Sequence, residues 1–511
     1  MKVYLGIDIG TSGVKALALT PGGTIVARGM AEQTFQIPHP GWAEQDPDVW
    51  VDSVCRAVQQ ITAQLGSDMT IACVGFSGQM LGCIPLDESK RVLAPCMMWL
   101  DSRSEEENRA LIEMYGLDFW WDQTGNMPLS SYWVSKLMWL KNHRPEILDK
   151  TRYLLFPKDY VRLFLTGEVA TEVADASATC LFDTVKRCWN SEIFTMLGLD
   201  QKMIPEKLLE SGDIAGTITE EAARKTGIPV GTPVIAGAGD QAMGGIGNGV
   251  VEDGMISVTI GTSGVVFTST DKPLVDKQER AGLCYCHAVR DKWCFFGCTN
   301  AAGGSFQWLR NTLGRMEMEQ AKVQDVDPYV LMTACAQQAE IGSRGLYFLP
   351  YLNGERTPHT DDNARGVFFG LSLAHGWNEI VRSVMEGITF SLRDSLEILR
   401  EHGVRPKKIF ASGGGAKSDA WLQMQADIFN TTIVRNNIDE GPACGAAIAA
   451  MVACGEYENE SEACAHILKP ALQVEPIAEN VARYDEIYNF YRSLYPDMKD
   501  AFARHGKLHN R

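Results

Sequence analysis

The stretch "YLGIDIGTSGVKALAL" (Tyr4–Leu19) runs apolar to Ile9, breaks at Gly10–Gly13, and resumes apolar at Val14. That is the pattern of two strands joined by a tight glycine-containing turn. Its centre, "IGTSGV" (Ile9–Val14), recurs unchanged at Ile260–Val265, inside "MISVTIGTSGVVFTS" (Met255–Ser269). Taken singly, each copy is also an ordinary hairpin sequence. Two identical copies half a chain apart, each in a strand-turn-strand setting, predict two halves built on one plan. Glycine leaves no Cβ to keep backbone N–H groups from an anion, and Thr and Ser add hydroxyl donors. Two such turns facing each other would hold a polyphosphate from both sides. The copies differ at the residue two before the glycine: Asp8 in the first, Thr259 in the second.

Outward from the first turn, "PGGT" (Pro21–Thr24) leads into a third strand, "IVARGMA" (Ile25–Ala31). The segment 44–65 then predicts a helix, with Asp46 as N-cap, Pro47 at the first helical position, and Val51, Val54, Val58 and Ile61 along one face. "TIACVGFSG" (Thr70–Gly78) reads as a buried strand, so helix follows strand in a right-handed crossover and a mixed α/β sheet. The second half repeats this logic: strands at 255–261, 264–270 and 292–299, a helix at 305–313, then strand, glycine loop and helix over 407–430. No low-complexity linker separates the halves, so "GNGVVEDG" (Gly247–Gly254) reads as a hinge between packed domains, 1–250 and 251–511. The tail "ARYDEIYNFYRSLY" (Ala482–Tyr495) has the apolar spacing of a helix docked on the second domain.

Length and composition agree with this plan. The chain has 511 residues, 45% hydrophobic and 22% charged, which suits a soluble protein of two or more domains. A net charge of −17 disfavours nucleic acid or an anionic membrane as partner and favours a small molecule. No apolar run approaches the roughly 18 residues needed to cross a bilayer. The N-terminus enters a strand pattern with no signal-peptide features, so a cytoplasmic location is expected. The fourteen cysteines are scattered, with no CxxC pair and one CxC (Cys284, Cys286), as expected of reduced, buried thiols. A P-loop is excluded, because the only Gly-Lys pair, Gly506–Lys507, is followed by Leu508. "GGIGNGV" (Gly244–Val250) lacks the full dinucleotide fingerprint.

The chain resembles the FGGY family of carbohydrate kinases, in the actin, Hsp70 and sugar kinase superfamily, and within it the xylulokinases. The resemblance spans almost the whole chain, through "GIDIGTSGVKA", "GWAEQDP", "GQM", "MWLDSR", "PKDYVRLFLTGE", "AGAGDQA", "TIGTSGV", "LPYLNGERTPH", "GVFFGLSLAHGWNEIVRSVMEG" and "GPACGAA". Gly366–Glu386 fits the family's second signature at every constrained position. In the first signature Lys136, Leu137, Trp139 and Leu140 fit, whereas Trp133 stands where a small Pro, Ser or Thr is usual. The resemblance implies two ribonuclease-H-like domains around a central cleft, the first holding the sugar and the γ-phosphate with Mg²⁺, the second holding ATP. It implies transfer of the γ-phosphoryl group to a sugar hydroxyl, with D-xylulose to D-xylulose 5-phosphate as the leading reaction. Another ketose, a polyol or a sugar acid is the alternative. Family habit favours a homodimer. An Hsp70-like or actin-like ATPase would need neither "GERTP" nor "MWLDSR", nor Asp240 in a sugar-facing loop.

Carried over residue by residue, the resemblance makes Asp240 in "AGAGDQA" the base for the sugar hydroxyl, with Gln241 beside it; Asp240 also stands where a helix could begin. Asp8 is a carboxylate inside an apolar strand, costly unless paired or bound to metal. The resemblance implies that it reaches Mg²⁺ through water, with Thr11 and Ser12 in the adjoining turn; a bond to nearby backbone is the other reading. Gly261 and Thr262, Gly303 and Gln307, and Gly414 and Ser418 match the nucleotide-contacting segments. Gln79, Met80, Leu81, Trp99, Asp101 and Arg103 match the sugar pocket. Asp101 and Arg103 lie two apart, which on a strand puts both on one face, either toward sugar or paired with each other. Leu81 is a departure: xylulokinases typically carry histidine there, in GQMHG, and this chain reads "GQMLG".

Overall fold

The computed structural model describes residues 1–278 and 282–509. β1 (Lys2–Ile9), β2 (Gly13–Leu19) and β3 (Ile25–Glu32) form an antiparallel meander, and α1 (Pro47–Gln64) returns the chain to β4 (Thr70–Gly78), parallel to β1. α1 starts as its sequence requires: the Asp46 side chain accepts from Asp48 N, Pro47 opens the helix, and Val51, Val54, Val58 and Ile61 are buried. A long excursion follows, containing α2 (Trp133–His143), before β5 (Ile214–Thr217), β6 (Pro233–Ile235) and β7 (Ala238–Gly239) complete the first sheet. Its order is β5-β6-β4-β1-β2-β3, with β7 also beside β4. α3 (Asp240–Asn248) leaves directly from β7.

The second sheet repeats the first. β8 (Ile256–Ile260) pairs antiparallel with β9 (Gly264–Thr270), and β10 (Leu283–Cys286) and β11 (Trp293–Thr299) extend that side. After α4 (Gly303–Thr312) and the long α5 (Trp377–Glu401), β12 (Lys408–Gly413) lies parallel to β8. Then come α6 (Asp419–Phe429), β13 (Thr432–Asn436), α7 (Gly441–Ala453), β14 (Pro470–Val474) and α8 (Ala478–His509). The order is β10-β11-β9-β8-β12-β13-β14. The central pairs correspond residue for residue: Asp8 lies beside Ser77 of β4 as Thr259 lies beside Ser412 of β12.

The halves are joined by more than their connecting chain. α7 lies on the first sheet, over Gly6 and Gly75, which are neighbours in the β1–β4 register. A Cβ at either would overlap the carbonyl of Ala443 or Ala446. α7 also crosses α3, where Gly247 and Gly445 allow equally close backbone contact. Elsewhere Asn126 Nδ2 donates to Cys284 O (2.6 Å) and Cys284 N donates to Asn126 Oδ1 (3.0 Å), tying the excursion to β10. α8 buries Tyr484, Ile487, Tyr488, Tyr491 and Leu494 in the core of the second half. All fourteen cysteines are free, and among the described residues no helix is long and apolar enough to cross a membrane.

Candidate active site

A cleft of about 480 Å³ opens between the two sheets, with Asp8, Lys15, Asp240 and Gln241 on one wall and Gly261 and Gly414 on the other. Asp8 stands near the end of β1. Its Oδ1 is buried and has no hydrogen-bond partner among the described residues. Burial raises its pKa, opposed by Ser77 and by Lys15, its neighbour in the β1–β2 pair. Asp240 is the first residue of α3, and Gly239 holds the N-cap position. Asp240 therefore does not cap its helix through its side chain, and its carboxylate stays open to the cleft; Gln241 Nε2 donates to it over 3.4 Å. Burial, and secondly repulsion from Asp8, pushes the Asp240 pKa up to about 7.

Two carboxylates repelling each other, one with an orphaned oxygen, form a donor set that suits a divalent cation. A small hard cation is commonly held by one or two carboxylates, with water and phosphate filling its other positions. Among the described residues no group of three or more His, Cys, Asp or Glu side chains forms a metal cage.

The duplicated turns are supported differently. In the first, Gly10 N donates to Gly13 O (3.0 Å). In the second, Gly261 N donates to Ser263 O (2.9 Å), and the turn rests on the start of α4, where Gly303 N donates to Gly261 O (2.8 Å) and Gly304 N to Thr262 O (2.9 Å). A Cβ on Gly303 would overlap the Gly261 carbonyl, so Gly261, Thr262 and Gly303 form one unit. Gln307 is exposed one turn further along α4. Gly414 lies on the cleft wall, and Ser418 caps α6, its Oγ accepting from Trp421 N (3.3 Å). The Asp8/Thr259 asymmetry has a local cause: the Thr259 and Ser412 hydroxyls hydrogen-bond each other at 2.8 Å. The second turn is thus neutral and internally satisfied where the first presents a free carboxylate oxygen.

Of the residues expected in the sugar pocket, Gln79 is buried, and its Nε2 donates to Gln45 Oε1 (2.9 Å) while its own Oε1 has no partner among the described residues. Gln45 in turn donates to Thr11 O (3.4 Å), and Trp99 Nε1 donates to Thr11 Oγ1 (2.9 Å). Thr11 is therefore gripped by Gln45 and Trp99, while Ser12 is exposed. Met80 packs where a Cβ on Gly239 would fall, directly before Asp240.

Asp101 and Arg103 correct the expectation of a strand. They lie in the loop that precedes the helix Glu105–Tyr115, and they bind each other: Arg103 Nε donates to both Asp101 oxygens at 2.9 Å and Nη2 to Oδ2 at 2.6 Å. Ala43 N also donates to Asp101 Oδ2 (2.7 Å), Glu44 pairs with Arg103 (2.8 Å), and the guanidinium lies 3.7 Å over the Trp42 ring. Of the two readings open for the pair, this is mutual binding. Gln45, Lys15 and Lys417 also belong to the site or its support. Gln45 stood in the quoted "GWAEQDP", and Lys417 beside the glycine loop "SGGGAK", but neither spacing revealed a role.

Residues 3–247 match the FGGY family of carbohydrate kinases, N-terminal domain, and residues 256–454 match the C-terminal domain of the same family. The chain is 35% identical over 501 residues to a xylulose kinase of Bacillus subtilis (strain 168), covering 98% of both chains. It is 31% identical over 502 residues to a gluconokinase of the same organism, covering 98% of this chain and 97% of that one. The structure superposes with a TM-score of 0.91 and 28% identity on a ligand-bound xylulose kinase from Lactobacillus acidophilus, over 99% of this chain and 100% of the other.

Proposed function

The chain belongs to the FGGY family of carbohydrate kinases, and from that membership we propose that it transfers the γ-phosphoryl group of ATP to the terminal hydroxyl of D-xylulose, giving D-xylulose 5-phosphate and ADP. The enzyme is a phosphotransferase with an alcohol acceptor, and its two sheets enclose the cleft of the actin, Hsp70 and sugar kinase fold. One observation carries the assignment of chemistry to the cleft: two mutually repelling carboxylates, Asp8 and Asp240, stand between two glycine turns of identical sequence.

In this reading the ionised Asp240 accepts the hydrogen bond of the sugar hydroxyl and takes its proton as the new O–P bond forms and the bond to the ADP oxygen breaks. Phosphoryl transfer passes through a loose transition state, so much of the benefit is orientation. Thr11 and Ser12 face the γ-phosphate, and Gly261, Thr262 and Gly303 the inner phosphates. Gln307, Gly414 and Ser418 lie toward the nucleoside. Mg²⁺, held by Asp8 through water, would neutralise charge on the phosphates. Gln79, Met80, Leu81, Trp99 and Gln241 line the acceptor side, with Asp101 and Arg103 bracing it. Closure of the two domains, 1–250 and 251–511, about the α3–α7 crossing would exclude water and limit ATP hydrolysis. We place the protein in the cytoplasm.

Leu81 supports a second acceptor class. An isobutyl group where xylulokinases carry imidazole leaves no buried partner unpaired when the acceptor changes, so discrimination is weaker. The similarity to a gluconokinase makes a sugar acid the competing acceptor. D240N tests the assignment of the base: turnover should fall by about two to four orders of magnitude with every acceptor, and unchanged turnover would refute it.

A further inference from the structure

The loop carrying Leu81 is held by one face of α2. Trp133 Nε1 donates to Gly82 O (2.9 Å) and Lys136 Nζ donates to Leu81 O (2.7 Å), the two side chains standing three residues apart. The Lys136 ammonium also donates to Met97 O (3.0 Å), just before "MWLDSR", and to Met98 O (2.9 Å), its first residue. Both side chains are fully buried. Lys136 has three carbonyls and, among the described residues, no ion pair, and burial lowers its pKa to about 8.

What this grip maintains is a conformation the loop would not choose alone. Leu81 has φ +67°, in the left-handed region that a branched side chain disfavours. Its carbonyl points at the ammonium, and the next carbonyl points at the indole. Trp133 is itself fixed by stacking on Phe156, with ring centroids 4.0 Å apart and 19° between planes. Leu81 and Trp133, two positions where this chain departs from its family's pattern, are therefore linked through the Gly82 carbonyl, one in the loop and the other on the helix that holds it.

We propose that Trp133 and Lys136 are positioning residues that hold residue 81 left-handed and fix the Gln79–Leu81 loop against the Met97–Trp99 segment, thereby setting acceptor affinity. This rests on the reading that Gln79–Leu81 line the acceptor site. In that reading most nucleotide contacts, Gly261, Thr262, Gly303, Gln307, Gly414 and Ser418, come from the second half of the chain, and the gripped segment reaches the phosphate side only through the Trp99–Thr11 bond, so the grip acts mainly on the acceptor.

W133F keeps the stacked ring and removes the N–H donor; K136M keeps the bulk and removes the ammonium. Steady-state kinetics should show the KM for D-xylulose rising about fivefold in W133F, the loss of one neutral hydrogen bond. In K136M, which loses charge-assisted bonds, it should rise about tenfold or more. The KM for ATP should stay within about twofold of wild type in both, since one acceptor-side grip is all that changes. The K136M penalty should shrink in an L81G background, because glycine adopts positive φ unaided. An unchanged acceptor KM in W133F, or an equal rise for both substrates, overturns the proposal; W133F decides the matter should K136M not fold. Q79A separates this from the site reading: acceptor KM unmoved by Q79A defeats that reading, and acceptor KM moved by Q79A but by neither α2 variant defeats the positioning proposal alone.

Discussion

The indole N–H of Trp99 donates to Thr11 Oγ1 over 2.9 Å, so the segment read as sugar-binding and the turn read as phosphate-binding share a hydrogen bond. A contact of this kind lets acceptor and nucleotide feel each other. W99F and T11V should each cost about 1 kcal/mol in kcat/KM, and the double variant should cost little more than either, because one bond can be lost only once. Full additivity in a double-mutant cycle would show that the bond transmits nothing.

The acid limb of the pH profile should report Asp240. Its pKa is raised to about 7 by burial and by Asp8, and only the ionised form accepts a proton. At limiting Mg²⁺, kcat/KM for the acceptor should therefore rise with pH through about 7 and level above it. Saturating Mg²⁺, which offsets the charge of Asp8, should move the limb to lower pH, as should D8N, although D8N also slows turnover. A limb near pH 4 at limiting Mg²⁺ would remove Asp240 from the role.

Stability should move the opposite way to activity. A carboxylate whose folded pKa lies above its ordinary 3.8 opposes folding when ionised. That penalty is absent below about pH 4, grows between the two pKa values and is complete above about 7. D240N should raise Tm at pH 8, by about 1–2 °C for each kcal/mol relieved, and give no gain at pH 4. Thermal melts across that range check it.

The parts of the architecture legible in the sequence were those written locally. The duplicated IGTSGV, the Asp46–Pro47 helix start and the apolar stripe of α1 are short-range patterns with short-range causes. Asp8 and Asp240 stood out because each is a lone acid among apolar or small residues. Asp101 and Arg103 show where spacing misleads: their two-residue separation suits a strand, but Ala43 N and Glu44, from another segment, turn them into a braced loop. The roles of Gln45 and Lys136 depend on carbonyls and amides distant in sequence, which no local periodicity can reveal. The seat of α7 on the first sheet is legible only afterwards, in Gly6 and Gly75.

That seat makes its own prediction. A methyl group at Gly75 would overlap the Ala446 carbonyl, so G75A should destabilise the protein by about 1–3 kcal/mol through overpacking of α7. Gly22, whose added Cβ would come no nearer than 4.0 Å to Thr20 Oγ1, is the control, and G22A should leave the denaturant midpoint unchanged. Equal midpoints for the two variants would contradict the packing account.

Coupled ADP release with MgATP across D-xylulose, L-xylulose, D-ribulose, L-ribulose, erythritol, glycerol and gluconate, with wild type and D240N side by side, decides whether this cleft runs acceptor-dependent phosphoryl transfer. The expected result is negligible ADP release without acceptor, the largest kcat/KM for D-xylulose by about tenfold, roughly 1.4 kcal/mol of transition-state preference, and collapse of turnover in D240N. ADP release that is independent of every acceptor, or undiminished in D240N, would contradict it.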